Sequence, residues 1–141
     1  MTARPLDLHG GAVSWRGAGL LILGASGSGK SSLALRLIAL GAGFVADDRV
    51  RLSGGGGALH ARGRPGAPAA VARRGIGLVP VPPGEGARVV LAVRTDRRED
   101  RRLPPARRLR LLGHAVPVLH AGPEPGFAEG LLVLLKALGP P

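Results

Sequence analysis

Apolar positions along the chain fall mostly into short runs broken by glycine and proline, with helical spacing in only two places. Leu6 to His9 and Ala12 to Trp15 predict two short strands with Gly10-Gly11 between them, and Arg16-Gly17 turns into an apolar run, Leu20 to Leu23. A short continuous apolar run is the mark of a buried strand. Leu33, Leu37 and Leu40 then recur at helical spacing without an intervening glycine or proline, and Gly41-Ala42-Gly43 supplies a stop. Gly43 to Asp48 predicts a short strand, beside the Leu20–Leu23 strand, that ends in two carboxylates. Arg49 to Ser53 and Ala58 to Ala61 flank Gly54 to Gly57 as a hairpin, and Arg62 to Ala70 is Pro-, Gly- and Ala-rich, the composition of a mobile loop. Arg73 to Leu78 leads into a strand ended by Pro80 and Pro82-Pro83, and Arg88 to Val93 is a β-branched strand. Asp96 to Arg110 is crowded with charge and predicts solvated surface. Leu109 to Leu112 and Ala115 to Leu119 are short strands, and Phe127 to Leu138 is an amphipathic helix with Leu131, Leu134, Leu135 and Leu138 on one side.

Between the first buried strand and the first helix lies Gly24-Ala25-Ser26-Gly27-Ser28-Gly29-Lys30-Ser31, which fits G-x-x-x-x-G-K-[ST]. Strand, glycine-rich turn and helix is the context that a P-loop requires. Its glycines let successive N–H groups turn inward around a phosphate, and the helix beginning near Lys30 adds unpaired amides. Lys30 is expected to reach the β- and γ-phosphates, and the Ser31 hydroxyl to ligate Mg²⁺. Asp47 and Asp48 end a strand where ligands bind in α/β sheets. One such carboxylate can hold Mg²⁺ and the other can accept a proton from an attacking hydroxyl. His9, at the end of the first strand, reads by itself as an unremarkable surface residue.

Length bounds these readings: 141 residues correspond to one domain, here taken as residues 1–141. The chain has no cysteine, which removes disulfides and thiolate metal sites and suits the cytoplasm. No stretch has the length of a membrane span, and the N-terminus lacks the apolar core of a secretory signal. A formal charge of +11 invites a nucleic-acid reading, but Trp15, Phe44 and Phe127 are the full set of aromatic residues. Stacking on bases has almost nothing to use, so no nucleic-acid partner is expected. The charge suits an acidic protein or a polyphosphate.

Taken together, L-H-G-G-A-V at Leu8 to Val13, the glycine-rich motif through Leu35, V-A-D-D-R-V at Val45 to Val50, R-G-I-G at Arg74 to Gly77 and R-L-P at Arg102 to Pro104 resemble HPr kinase/phosphorylase in order and spacing. The chain is similar to the short proteobacterial form, the catalytic domain without an extra N-terminal domain. The resemblance implies an α/β P-loop domain related to the nucleotide-binding fold of phosphoenolpyruvate carboxykinase, with a C-terminal helix. It implies ATP-dependent (or pyrophosphate-dependent) phosphorylation of a serine on an HPr-like phosphocarrier protein of the phosphotransferase system. The reverse reaction, attack of inorganic phosphate on phosphoserine, comes with it, as does a homo-oligomer, commonly a hexamer. On the family pattern Asp47, Lys30, His9 and Arg74 are catalytic, with Asp47 as base or acid. Gly24, Ala25, Ser26, Gly27, Ser28, Gly29, Lys30, Ser31 and Ser32 cradle the nucleotide, and Ser31 and Asp48 hold the metal. Spacing alone does not decide which aspartate does which.

Two departures stand out. The acidic residue expected two positions before Arg74 is Ala72, which removes a Mg²⁺ ligand and leaves Glu85 as the nearest substitute in the following loop. Ser32 replaces an acidic residue after G-K-S. A second class of function therefore stands beside the kinase: a non-catalytic, nucleotide-sensing module that binds an HPr-like partner. A third, an unrelated small-molecule kinase or nucleic-acid NTPase, would need a nucleoside pocket or a stacking surface.

Overall fold

A computed structural model describes residues 4–140. In chain order it contains β1 (Leu6–Trp15), β2 (Ala18–Leu23), α1 (Lys30–Ala39), β3 (Gly43–Ala46), β4 (Arg49–Gly55), β5 (Ala58–Gly63), β6 (Ala70–Arg73), β7 (Gly77–Pro80), β8 (Ala87–Arg98), β9 (Arg108–Leu111), β10 (His114–Ala121) and α2 (Phe127–Leu138). The second half of β1 runs antiparallel to β2, with Gly10 opposite Leu23 and Trp15 opposite Ala18. Along its other edge, Leu6–His9 pair with β4 and Ala12–Ser14 with β3. Pairing continues from β4 to β5, from β5 to the start of β8, and from β8 in parallel back to β2. The ring of strands thus closes on itself, and β10 and β9 extend outward from β8. β6 and β7 form a separate hairpin.

This sheet has a core on each side. Leu20 and Ile22 of β2 pack with Val13, Leu91 and Val93 against both helices, while Leu21 points the other way with Ala12, Val50, Leu52 and Leu59. A strand buried on both faces reads as a continuous apolar run, which is why β2 was visible without alternation. Among the described residues, no helix is long and apolar enough to cross a membrane.

Several sequence expectations need correction. Gly10-Gly11 is no turn: β1 is one strand of 10 residues. A Cβ on Gly10 would sit 2.7 Å from the Ile22 carbonyl oxygen and one on Gly11 would sit 3.1 Å from that of Ala46. The glycines therefore serve close approach by neighbouring backbone. Asp47-Asp48 follow a strand that pairs with β1, so β1 separates them from β2. Part of the charged stretch is β8 itself, which runs to Arg98 because β10 continues to pair with it. The end of the expected mobile loop, Ala70, opens β6. Leu40 lies just beyond α1 and is exposed.

The C-terminal helix forms over the expected residues, but it buries Ala128, Leu131, Leu132 and Leu135, leaving Leu134 and Leu138 partly exposed. Both sets have i, i+3, i+4, i+7 spacing, so period alone could not choose between them. Glu124 fixes the helix start: it accepts the Ala128 N–H at 2.8 Å and pairs with Arg36 of α1 at 3.0 Å. Leu135→Ala is expected to cost ~2–5 kcal/mol of unfolding free energy, as a fully buried leucine does, and Leu134→Ala clearly less. Urea denaturation of both variants checks this, and equal losses would mean that α2 turns its other face inward.

Candidate active site

Three separate pieces of chain converge where β1 narrows to its glycine pair. β2 and β3 flank β1, both antiparallel to it, so they run the same way, and they end two residues apart along it, β2 opposite Gly10 and β3 opposite Ala12. From the end of β2 comes the glycine-rich turn, and from the end of β3 come Asp47 and Asp48. His9 lies in β1 immediately before the glycines, opposite Arg49 of β4. The Gly10 N–H donates to the Asp48 carbonyl at 3.0 Å, tying the two segments together.

Within the glycine-rich turn, Gly24, Gly27 and Gly29 take φ of 150°, 80° and 101°, a region that favours residues without a Cβ. Gly29 precedes α1 and offers no side-chain cap, so the first amides of the helix are left for a ligand. Lys30 folds back over the turn, its Nζ donating to the carbonyls of Gly24 at 2.8 Å and Ala25 at 2.9 Å. Ser26, Gly27, Gly29, Lys30, Ser31 and Ser32 line a cavity of about 490 Å³, joined there by His9, Asp48, Ala72 and Arg74. Gly24, Ala25 and Ser28 are not on that wall. Ser28 turns its hydroxyl away to Thr95, 2.6 Å distant, and Thr95 donates in turn to the Leu23 carbonyl at 3.1 Å.

The two aspartates have different partners. Asp47 accepts from the Ser31 hydroxyl at 2.9 Å and from the backbone N–H of Ala72 at 3.2 Å. Asp48 lies 3.2 Å from Nε2 of His9. It sits at the centre of a three-residue turn, with φ 67° and the Arg49 N–H reaching the Asp47 carbonyl at 2.7 Å. Such a backbone is uncommon for a residue with a Cβ, although aspartate tolerates it better than most. The pairing expected between Ser31 and Asp48 is therefore made by Asp47 instead, because the turn at Asp48 swings its carboxylate toward β1.

Arg74 stands in the turn between β6 and β7, on the wall of the same cavity. Ala72 lines this cavity and a larger neighbouring one, so a longer side chain there would reach the region between the aspartates. Glu85 lines neither cavity, and neither does the Arg102–Pro104 segment. Among the described residues, no cluster of three or more His, Cys, Asp or Glu side chains could alone hold a metal ion. Mg²⁺ needs less than that, because it keeps waters and takes one or two carboxylates together with substrate phosphates. Ser31 Oγ and Asp47 Oδ1, already 2.9 Å apart, fit that requirement.

The chain is similar to known proteins. A sequence profile described as the HPr Serine kinase C-terminal domain matches residues 2–95. The chain belongs to that family. It is 51% identical over 51 residues to an HPr kinase/phosphorylase of Azoarcus sp. (strain BH72), covering 36% of this chain and 16% of the relative. It is 56% identical over 46 residues to the HPr kinase/phosphorylase of Bordetella pertussis, covering 33% of this chain and 15% of the relative. The chain thus spans about a sixth of the length of the curated relatives it matches. A structure of the Hpr(Ser) kinase/phosphatase from Coxiella burnetii superposes with a TM-score of 0.74 at 26% identity, covering 94% of this chain and 87% of that one. The mixed sheet with its helices is therefore the fold of an HPr(Ser) kinase/phosphatase.

Thr95 is the site residue that sequence reading missed. The signal was a small polar residue two positions after the apolar run Val89–Val93 of β8. Thr95→Val is expected to free Ser28 and speed hydrogen exchange of the Gly27 and Ser28 amides, while Thr95→Ser keeps the wild-type rates. Unchanged exchange in the valine variant would mean that the latch does not hold the turn.

Proposed function

We propose that this chain is the catalytic domain, as one unit over residues 1–141, of a cytoplasmic, oligomeric ATP-dependent serine protein kinase acting on an HPr-like phosphocarrier. Phosphorolysis of the phosphoserine is the reverse reaction at the same site. The glycine-rich turn is read as a P-loop, in a domain related to the nucleotide-binding part of phosphoenolpyruvate carboxykinase. The observation that carries this reading is the division of the two aspartates, Asp47 onto Ser31 and Asp48 onto His9, at the mouth of the turn.

That division supports one allocation of roles. Asp47, with Ser31, belongs to the side that would hold Mg²⁺, which supplies charge neutralisation for the donor phosphates. Asp48 faces outward with His9 beside it and is the better-placed base. The serine hydroxyl gives its proton to Asp48 as its oxygen bonds to the γ-phosphorus, and the bond from that phosphorus to the bridging oxygen of ADP breaks. Lys30 and Arg74 spread the charge on the transferred group. In reverse, protonated Asp48 returns the proton to the serine oxygen as inorganic phosphate displaces it. His9 orients the carboxylate throughout. This reverses the allocation that the family resemblance implied.

Incubation with Mg²⁺, labelled ATP and the host's HPr-like carrier should give phosphoserine that is lost when inorganic phosphate is added. Asp48→Asn is expected to lower transfer by ~10²–10⁴-fold, the usual contribution of a positioned base, with ATP affinity kept. Asp47→Asn should instead raise the Mg²⁺ concentration needed for half-maximal rate. The opposite pattern in the two variants would return the base role to Asp47.

Ala72 favours the second reading, a nucleotide-sensing module without turnover. Under it, ATP binds and no label reaches the carrier. Ala72→Glu discriminates: it should lower the Mg²⁺ requirement of a working kinase and restore transfer to a silent one.

A further inference from the structure

The larger cavity, about 780 Å³, opens on the far side of the aspartates. It shares Ser31, Asp48 and Ala72 with the cavity at the glycine-rich turn, so the two meet at the carboxylates. Much of its wall is the Pro- and Gly-rich segment from Arg64 to Ala69. Its only aromatic lining residue, Phe44, is 8% exposed and offers little ring surface for a nucleobase to stack on.

Its charge is distinctive. Arg49, Arg62 and Arg64 all line it, and among the described residues none of the three forms an ion pair with a carboxylate. The β4–β5 register explains why Arg49 and Arg62 gather, and Arg64 follows β5 directly. Arg51 and Arg62 are directly opposite across the ladder, and Arg49 lies two residues from Arg51 on the same side of its strand. Like charges directly opposite are unfavourable in a sheet. Asp7 relieves Arg51 alone, through a 2.8 Å hydrogen bond from Nε to Oδ1. That bond holds the Asp7 carboxyl below its usual range, with Arg64 and Arg49 adding to the effect from further away. The remaining cations face a concave space with partly apolar walls, where their field is focused.

We propose that this cavity is a second oxyanion subsite, in which Arg49, Arg62 and Arg64 receive a phosphate or carboxylate group of the phosphoryl acceptor. The acceptor role rests on the kinase reading above; the anion subsite does not. Asp47 and Asp48 repel an anion from the junction between the cavities. The anionic group is thereby held at the arginine end, and the acceptor hydroxyl is left beside Asp48. The fork of an arginine suits either oxyanion.

The test is amide-resolved NMR of the ¹⁵N-labelled full chain during titration with inorganic phosphate and, in parallel, acetate. Phosphate should shift two groups of amides, one across Gly27–Ser32 and one at Gly63, Gly66, Ala67 and Ala69. Lys30→Ala should remove the first response and spare the second. The double variant R62Q/R64Q should weaken the second about tenfold or more, the value of about one lost charge-assisted contact, and spare the first. A response to acetate in the second group alone marks a carboxylate-accepting site, and a phosphate-only response marks a phosphate site. Response confined to Gly27–Ser32, or a second response that survives R62Q/R64Q, overturns the subsite. With the carrier as acceptor, R62Q/R64Q should raise KM for the carrier and leave kcat little changed; an unchanged KM overturns the acceptor role. A chain that transfers nothing yet shows the arginine-dependent response keeps the subsite and refutes the kinase reading alone.

Discussion

The site hangs on one steric constraint: β2 and β3 must approach β1 closely at Gly10 and Gly11. A methyl group at Gly10 would collide with the Ile22 carbonyl, and one at Gly11 would crowd that of Ala46. Because β1 carries no side chain there, the glycine-rich turn and the aspartate pair leave their strands on either side of the same short stretch of β1, Gly10 to Ala12. His9 then completes the group from β1 itself. Two apolar cores clamp this arrangement, since Leu20 and Ile22 face the helices while Leu21 faces the interior of the strand ring. A shift of β2 by one residue would exchange these sets and misdirect the turn together with them.

Electrostatics then divide the region. Lys30 is held by carbonyls rather than by an acid, and the first turn of α1 contains no acidic residue. The turn is thus left as a cationic cradle, which suits a polyphosphate. The aspartates form a narrow negative zone next to it, with the arginines of β4 and β5 beyond. Opposite charges alternate along the line from the turn to the larger cavity. Groups arriving from the two sides are thereby sorted by charge before any chemistry occurs.

The parts legible in the sequence were those whose chemistry is local. The G-x-x-x-x-G-K-S run had to lie between a strand and a helix, and it does; V-A-D-D had to end a strand, and it does. The parts that depend on register were hidden. Gly10-Gly11 resembles a hairpin turn until its neighbours are known. Nothing near Ser28 announces Thr95, which is 67 residues away. Arg62 reads as loop until β5 sets it opposite Arg51. In α2 the spacing fits two stripes equally, and packing against β2 and α1 decides which of them is buried. The aspartates were found as a pair but not told apart, because the left-handed turn at Asp48 separates them and no residue type demands that turn.

At Ala72 it is the backbone that reaches the site. The position carries no carboxylate, but its N–H still donates to Asp47 at 3.2 Å. β6 therefore orients the carboxylate that Ser31 also holds through a backbone N–H, which any residue but proline at 72 would supply. What changes is charge. A third acid beside Asp47 and Asp48 would repel both and bind a divalent cation more firmly. Without it the neighbourhood of Lys30, Arg73 and Arg74 is more positive, which favours the phosphates themselves over the metal that accompanies them. The orientation of Asp47 and the local charge are thus set by different parts of the same residue position, the first by backbone and the second by the side chain.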